Sequence, residues 1–351
     1  MRQHILVPPP CADPEVNPLA ATGRKLRWGV VATGQIARKV TADIALLEDA
    51  VLHAVSSRRE AAAAEFAREF GFAASYHDDD GEAGYQRLMR DPDVDVVYIA
   101  TPHSQHREVA EAALKAGKHV LCEKPVTTDA ADAAALVDLA RAQGLFLMEA
   151  VWTRFLPSVN RAWDIMASDE LGDVQCVQAD LGFVSAYDAG SRLWDPAAGG
   201  GALLDLAVYP LTWAFGSLGI PTGVTATGTV NDDGVDLRNA LTLTYGTGAF
   251  AQLTTSITAT YPSAATVSGN AGWLRTSAPL YNPSELLIQS GGDSRTEVFG
   301  QIGGNYVYQL REVTRCIQSG LTESPTMPWA DTLLTMRLLD EVRAQFSAGA
   351  V

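Results

Sequence analysis

A lysine placed where a buried strand stops is positioned to meet a ligand. Glu123-Lys124-Pro125 has this form: the apolar run His119 to Cys122 leads into it, and Pro125 ends it because proline lacks an N–H and fixes φ. An ammonium there can stabilise an oxygen that gains negative charge. Far downstream, Asp205 and Tyr209 stand four residues apart in a helical pattern, so both side chains share one face. The spacing alone leaves open a structural reading, with Asp205 stabilising the helix and Tyr209 packing. A third group is the turn Thr101-Pro102-His103-Ser104-Gln105-His106. His103 either lines a site or holds the loop, and His106 reads as a helix-start residue. No third ligand follows at useful spacing, so no metal site is expected.

The elements that must position these groups alternate strand and helix. Lys25 to Val31 reads as a strand, and Ile36, Val40, Ile44 and Leu47 give a helix through about Leu47. Between them lies Ala32-Thr33-Gly34-Gln35-Ile36-Ala37, the context of a dinucleotide fingerprint with Ala32 in place of its first glycine. Gly34 lets the backbone approach a pyrophosphate, whose charge the helix N-terminus stabilises. The second strand, Val51 to Ser57, ends in Ser56-Ser57-Arg58-Arg59, with no acid to bind ribose hydroxyls. Hydroxyls and guanidinium groups suit a 2′-phosphate, which favours NADP, while Glu60 leaves room for NAD. Asp78-Asp79-Asp80 reads as a helix cap or a solvated acidic loop. Further strands are expected at Val94 to Ala100, at His119 to Cys122 and at Leu145 to Met148, with a helix from Ala130 to Gln143 capped by Asp129. This order predicts an α/β fold with a parallel, doubly wound sheet.

The 351 residues suggest two domains, and 41 acids against 26 bases give a net charge of −15. That field argues against nucleic-acid and anionic membrane partners. No apolar run is long enough to span a membrane. Met1 to Arg24, with Pro8-Pro9-Pro10 and no apolar core, reads as a mobile tail rather than a signal peptide. Cys11, Cys122, Cys176 and Cys316 are widely spaced and read as free thiols of a cytoplasmic protein. Cys122 is a weak alternative nucleophile, with no base assigned to it.

The segments Trp28 to Ala37, Thr101-Pro102-His103, Ala116 to Pro125 and Gly199 to Pro210 together resemble the Gfo/Idh/MocA oxidoreductase family. The similarity covers about residues 26 to 347. Tyr209, together with Met148 to Phe155, is similar to the branch of dimeric dihydrodiol dehydrogenases and NADP-dependent D-xylose dehydrogenases. Departures are Ala32 and Ala207, where glycine is common. The resemblance implies a Rossmann dinucleotide-binding domain over residues 25–149. A C-terminal α+β domain over 150–351 follows, with an open, mainly antiparallel sheet used for substrate and oligomerisation. It implies cofactor contacts from Ala32, Thr33, Gly34, Gln35, Ile36, Ser57, Arg58, Thr101, Pro102, His103, Glu123 and Lys124. Substrate contacts are implied for Lys124, Arg154, Asp205 and Tyr209.

The implied chemistry is hydride exchange between a nicotinamide and the hydroxyl or carbonyl carbon of a sugar, cyclic polyol or diol. Tyr209 is the expected proton donor or acceptor, with Lys124 lowering its pKa or carrying the proton itself, and Asp205 positioning one of these groups. Glu123 is expected to orient the turn or meet the nicotinamide ribose. Trp152, Phe155, Phe183 and Trp194 fit either an aromatic diol pocket or the core. Beyond Thr222, strands are expected near 224–230, 237–245, 249–257, 264–267, 272–275 and 285–288. Closing helices are expected at 306–319 and 329–346. One sheet face should be apolar and pair with a second subunit, giving a homodimer or homotetramer. A dinucleotide-binding sensor on the same fold is the non-enzyme alternative.

Overall fold

The computed structural model describes residues 17–348. Within them the chain forms two compact units, residues 17–152 with 301–333, and residues 153–300 with 334–348. The units divide at residues 152/153, and the segment 301–333 groups with the first unit, whereas the expected C-terminal domain ran unbroken over 150–351.

The first unit opens with β1 (Leu26–Val31), α1 (Gln35–Ile44), β2 (Ala50–Ser57), α2 (Glu60–Phe70), β3 (Ala74–His77) and α3 (Gly84–Met89). It continues with β4 (Val96–Ile99), α4 (His103–Lys115), β5 (His119–Cys122), α5 (Ala130–Gln143) and β6 (Leu147–Glu149). The six strands are parallel in the order β3-β2-β1-β4-β5-β6, the doubly wound sheet expected. β4 is buried at every position, as a strand covered by helices on both faces must be. Asp129 caps α5 through the Asp132 N–H at 2.9 Å, and left-handed Gly144 ends it. α1 stops at Ile44, short of Leu47, because the chain tightens there: Leu46 and Leu47 donate to the carbonyls three residues back. β3 was not foreseen, since Ala74–His77 has no apolar alternation; Asp78, in the stretch read as a helix cap or an acidic loop, accepts the Gly84 N–H at 2.7 Å at the start of α3.

The second unit contains α6 (Pro157–Ala167), β7 (Val174–Gly182), α7 (Ala202–Leu206) and α8 (Val208–Leu218). There follow β8 (Gly223–Val230), β9 (Asp236–Thr244), β10 (Phe250–Ser256), β11 (Ala265–Gly269), β12 (Gly272–Thr276), β13 (Glu285–Ser290) and β14 (Asp293–Val298). Eight strands lie in the order β14-β13-β12-β11-β7-β10-β9-β8, antiparallel except where β7 meets β10. α7 and α8 cover one face. The other carries Gln178, Gln252, Thr254, Thr266 and Arg275, so the apolar open face expected is instead largely polar. β14 escaped notice because Asp293 to Glu297 is polar throughout; its ladder with β13 holds it.

Asp205 and Tyr209, expected on one face of a single helix, lie instead on two helices, broken at Ala207. Pro210 explains the break: it offers no N–H to Leu206, and its ring crowds that carbonyl, so α7 ends there.

The chain then returns as α9 (Val307–Gln318), packed on α1, and α10 (Trp329–Ala348), which runs from the first unit into the second. The Asp43 carboxylate of α1 accepts N–H groups from Gly304, Tyr306 and Val307 at the start of α9. Arg311 of α9 pairs with buried Asp49 at 2.8 Å and donates to the carbonyls of Pro18 and Leu19. Residues 17–24, read as part of a mobile tail, are therefore tied to the first unit. The remainder of that stretch, with Cys11, lies outside the described residues.

Candidate active site

The ends of β1, β2 and β4 open on a cleft of about 740 Å³. β1 and β4 are neighbours where the strand order reverses, so the cleft lies where open α/β sheets bind ligands. Ala32, Thr33, Gly34, Ser57, Arg58, Thr101 and Pro102 all line it. Gln35 and Ile36 occupy the first turn of α1 behind this lining, and His103 is buried as the first residue of α4.

Two residues of the first turn behave in opposite ways. Ala32 holds φ at +87°, a conformation natural to the glycine it replaces and strained for a residue with a Cβ. Gly34 has φ −73°, and a Cβ added there would meet nothing within 4 Å, so the fold itself does not require glycine. The bare backbone is instead what a pyrophosphate approaching α1 needs. No side chain caps α1, and no acid lies in its first turn, which leaves its N–H groups to an anion. Exposed Arg58 and Arg59 follow β2, while the Thr33 hydroxyl lies 3.4 Å from that of Ser57. These residues fit a dinucleotide.

Sequence reasoning missed the far wall. Tyr85 of α3 donates to Glu108 of α4 at 2.5 Å, and both line the cleft with Asp78 and Gln105. Burial, then the Glu108 carboxylate, pushes the Tyr85 phenol up to about 12. Gln105 and Glu108 were legible only as one face of α4, three residues apart.

Lys124 follows β5 and is half-buried. Beside it, Glu123 accepts the Tyr98 hydroxyl at 2.6 Å; burial, then Glu123, raises that phenol well above its ordinary value. This hydrogen bond ties Glu123, after β5, to the neighbouring strand β4. His106 is fully buried, with Nδ1 2.8 Å from the Pro125 carbonyl and Nε2 2.9 Å from that of Thr101. It ties two turns together rather than simply starting a helix. Burial, with Glu123 and Glu149, pushes the Cys122 thiol far up, which leaves it unsuited to act as a nucleophile.

In the second unit, Arg154 is buried in the short 3-10 turn Trp152–Phe155. Asp205 and Tyr209 flank the α7–α8 break, each about 9% exposed. Arg192 donates to Asp205 at 3.3 Å, and the Tyr209 ring lies 5.0 Å from that of Tyr281. Neither partner has a local sequence signal. Asp236, at the start of β9, accepts the Leu203 N–H at 2.7 Å and so steadies α7; burial pushes its carboxyl up to about 7. Of the four candidate pocket aromatics, Trp152, Phe155 and Trp194 are buried and Phe183 is exposed.

Residues 26–151 match the family model described as an oxidoreductase family with an NAD-binding Rossmann fold, and residues 159–275 match the GFO/IDH/MocA C-terminal domain. The chain belongs to the Gfo/Idh/MocA oxidoreductase family. Similar members include the trans-1,2-dihydrobenzene-1,2-diol dehydrogenases of Mus musculus, 34% identical, and Sus scrofa, 36% identical. Each match covers 91% of this chain and 96% of the relative. Among solved structures of similar fold is an aldose-aldose oxidoreductase from Caulobacter crescentus complexed with glycerol. It is 28% identical, with a TM-score of 0.83 over 93% of this chain and 98% of the other. A 3-ketoreductase from Actinomadura kijaniata, in complex with NADP and TDP-benzene, is also 28% identical, with a TM-score of 0.82 over 92% and 98%. Among the described residues of this family member, no single helix is long and apolar enough to cross a membrane.

Proposed function

We propose that the enzyme oxidises or reduces a hydroxyl-bearing ring carbon of a sugar, cyclic polyol or dihydrodiol, with NADP as its partner in hydride exchange. The observation that carries this reading is the cleft at the strand ends. An uncapped helix N-terminus, a glycine the fold does not require and two arginines after β2 stand at the same sheet edge as Lys124. Ala32, Thr33, Gly34, Ser57, Arg58, Thr101 and Pro102 would hold the dinucleotide, which supplies the hydride acceptor or donor. Lys124 stabilises negative charge on the substrate oxygen, and Tyr209 gives or takes its proton. Asp205 and Arg154 bind substrate hydroxyls. The relatives named above support ring hydroxyls as the target: a dihydrobenzene diol in one set, aldoses in another.

The same reading makes the protein a cytoplasmic homo-oligomer that pairs through the open sheet face. Because that face carries glutamines, threonines and Arg275, the pairing would rest on hydrogen bonds as much as on apolar burial.

Cofactor absorbance with a panel of aldoses, cyclic polyols and dihydrodiols, in NADP and in NAD, tests the function. Turnover with a higher kcat/KM in NADP is expected. Tight NADP(H) binding without turnover across the panel would instead favour the sensor.

A further inference from the structure

The peptide joining Pro125 to Val126 follows directly on Lys124, and both of its polar atoms are engaged by buried ionisable side chains. Its carbonyl lies 2.8 Å from Nδ1 of His106, and its N–H donates to Oε1 of Glu149 at 3.0 Å. The other ring nitrogen, Nε2, lies 2.9 Å from the Thr101 carbonyl. Carbonyl oxygens only accept, and a neutral imidazole carries one N–H. A neutral His106 would therefore turn a lone pair onto one of these oxygens at under 3 Å. An imidazolium satisfies both.

Glu149 has the complementary pattern. It is 2% exposed, and its second oxygen accepts the Thr332 hydroxyl at 3.0 Å, so both oxygens meet donors as an ionised carboxylate requires. Either charge alone would be costly at this depth. Here the two face opposite ends of one peptide, whose dipole aligns with both. Burial and the N-terminus of α4 oppose the cation; two charge-assisted hydrogen bonds and the Glu149 counter-charge offset them.

Several ionisable groups surround the clamp, most of them engaged in contacts of their own. The Tyr98 hydroxyl of β4 is taken by Glu123, and the Cys122 thiol of β5 is held neutral. Arg107 of α4 pairs with Glu111 and with Asp132 of α5. The His103 ring lies 5.7 Å away, centre to centre.

We propose that His106 is held as an imidazolium, paired with the Glu149 carboxylate through the Pro125–Val126 peptide, and that this clamp positions Lys124. It locks the turn after β4 to the turn after β5, so the two strand ends move as one body. The positioning part rests on the role proposed above for Lys124; the charge state does not.

Nitrogen-15 NMR of histidine-labelled protein reads the charge state directly, with His106→Gln identifying the signal. Both His106 ring nitrogens should stay protonated from about pH 6 to pH 8. An unprotonated ring nitrogen at neutral pH in the wild type overturns the proposal, whatever the enzyme turns over. In Glu149→Gln the ring should lose its proton within the same range; a ring that stays doubly protonated overturns the pairing. Amide exchange at Val126 should quicken about tenfold or more in either single variant. On a substrate that turns over, each single variant should lower kcat about tenfold, and the double variant little further. Multiplied losses overturn the shared clamp. Should either variant fail to fold, the wild-type spectrum still decides the charge.

Discussion

In the first unit every proposed contact follows a parallel strand: Ala32 after β1, Ser57 at the end of β2, Thr101 after β4 and Lys124 after β5. In the second unit Asp205 and Tyr209 flank a break between two helices, and the side chains on them come from afar in the chain, Arg192 and Tyr281. Backbone topology alone places the first set. Tertiary contacts between side chains place the second. The first set should therefore respond to changes in backbone conformation and in the segments that brace the sheet, the second to loss of single partners.

The largest effect expected is on the brace of the first unit. Arg311→Ala strands the buried Asp49 carboxylate and should lower stability to urea by about 3–5 kcal/mol. Burial alone would raise the Asp49 carboxyl, but the hydrogen bonds from Arg311, Thr22 and Gln318 hold it below the usual carboxylate range. Its contribution is therefore present above the unfolded pKa and lost as pH falls through the folded one. The variant should show less of this acid-side loss. Unchanged stability would mean that the returning segment does not brace the sheet.

Cofactor choice comes next. Arg58→Ala should weaken NADP+ binding about tenfold to a hundredfold while NAD+ binding changes little, by calorimetric titration. Equal loss for both cofactors would place Arg58 away from the 2′-phosphate.

The neighbouring turn residues separate fold from function. Gly34→Ala should leave stability within about 0.5 kcal/mol, since a Cβ there meets nothing, yet weaken the dinucleotide about tenfold. Ala32→Gly should do the reverse, adding about 1 kcal/mol of stability by releasing a strained φ.

In the second unit the smallest effect concerns pH. Burial raises Asp236 from an ordinary 3.8 to about 7, so folding favours its protonated form. Stability from this group is present below pH 3.8 and is lost as pH rises towards about 7. Asp236→Asn keeps an oxygen for the Leu203 N–H and should flatten that slope in thermal unfolding, modestly because the residue is only half-buried.

The parallel sheet was legible because buried strands write themselves as apolar runs ending in turns, as at Val96 to Ile99 and His119 to Cys122. Lys124, Gly34 and Arg58 were legible for the same reason: a strand end is a sequence position. The break at Ala207 was hidden because Asp205 and Tyr209 read as one helix, while proline acts on the carbonyl four residues before it. Arg192, Tyr281 and Asp236 were hidden, since their partners lie 13, 72 and 33 residues away in the chain. The returning segment 301–333 was hidden too, because nothing in an amphipathic helix says which unit it braces. The polar open face contradicted expectation because Gln178, Gln252 and Thr266 alternate with the buried residues that had marked the strands.

The central claim is that Lys124 and Tyr209 serve the chemical step. Single-turnover hydride transfer, measured by cofactor absorbance on a substrate found in the panel, tests it in Lys124→Ala and Tyr209→Phe. The rate should fall about a hundredfold or more in each, with NADP(H) affinity held within about threefold for Tyr209→Phe. A rate unchanged in either variant would contradict the account.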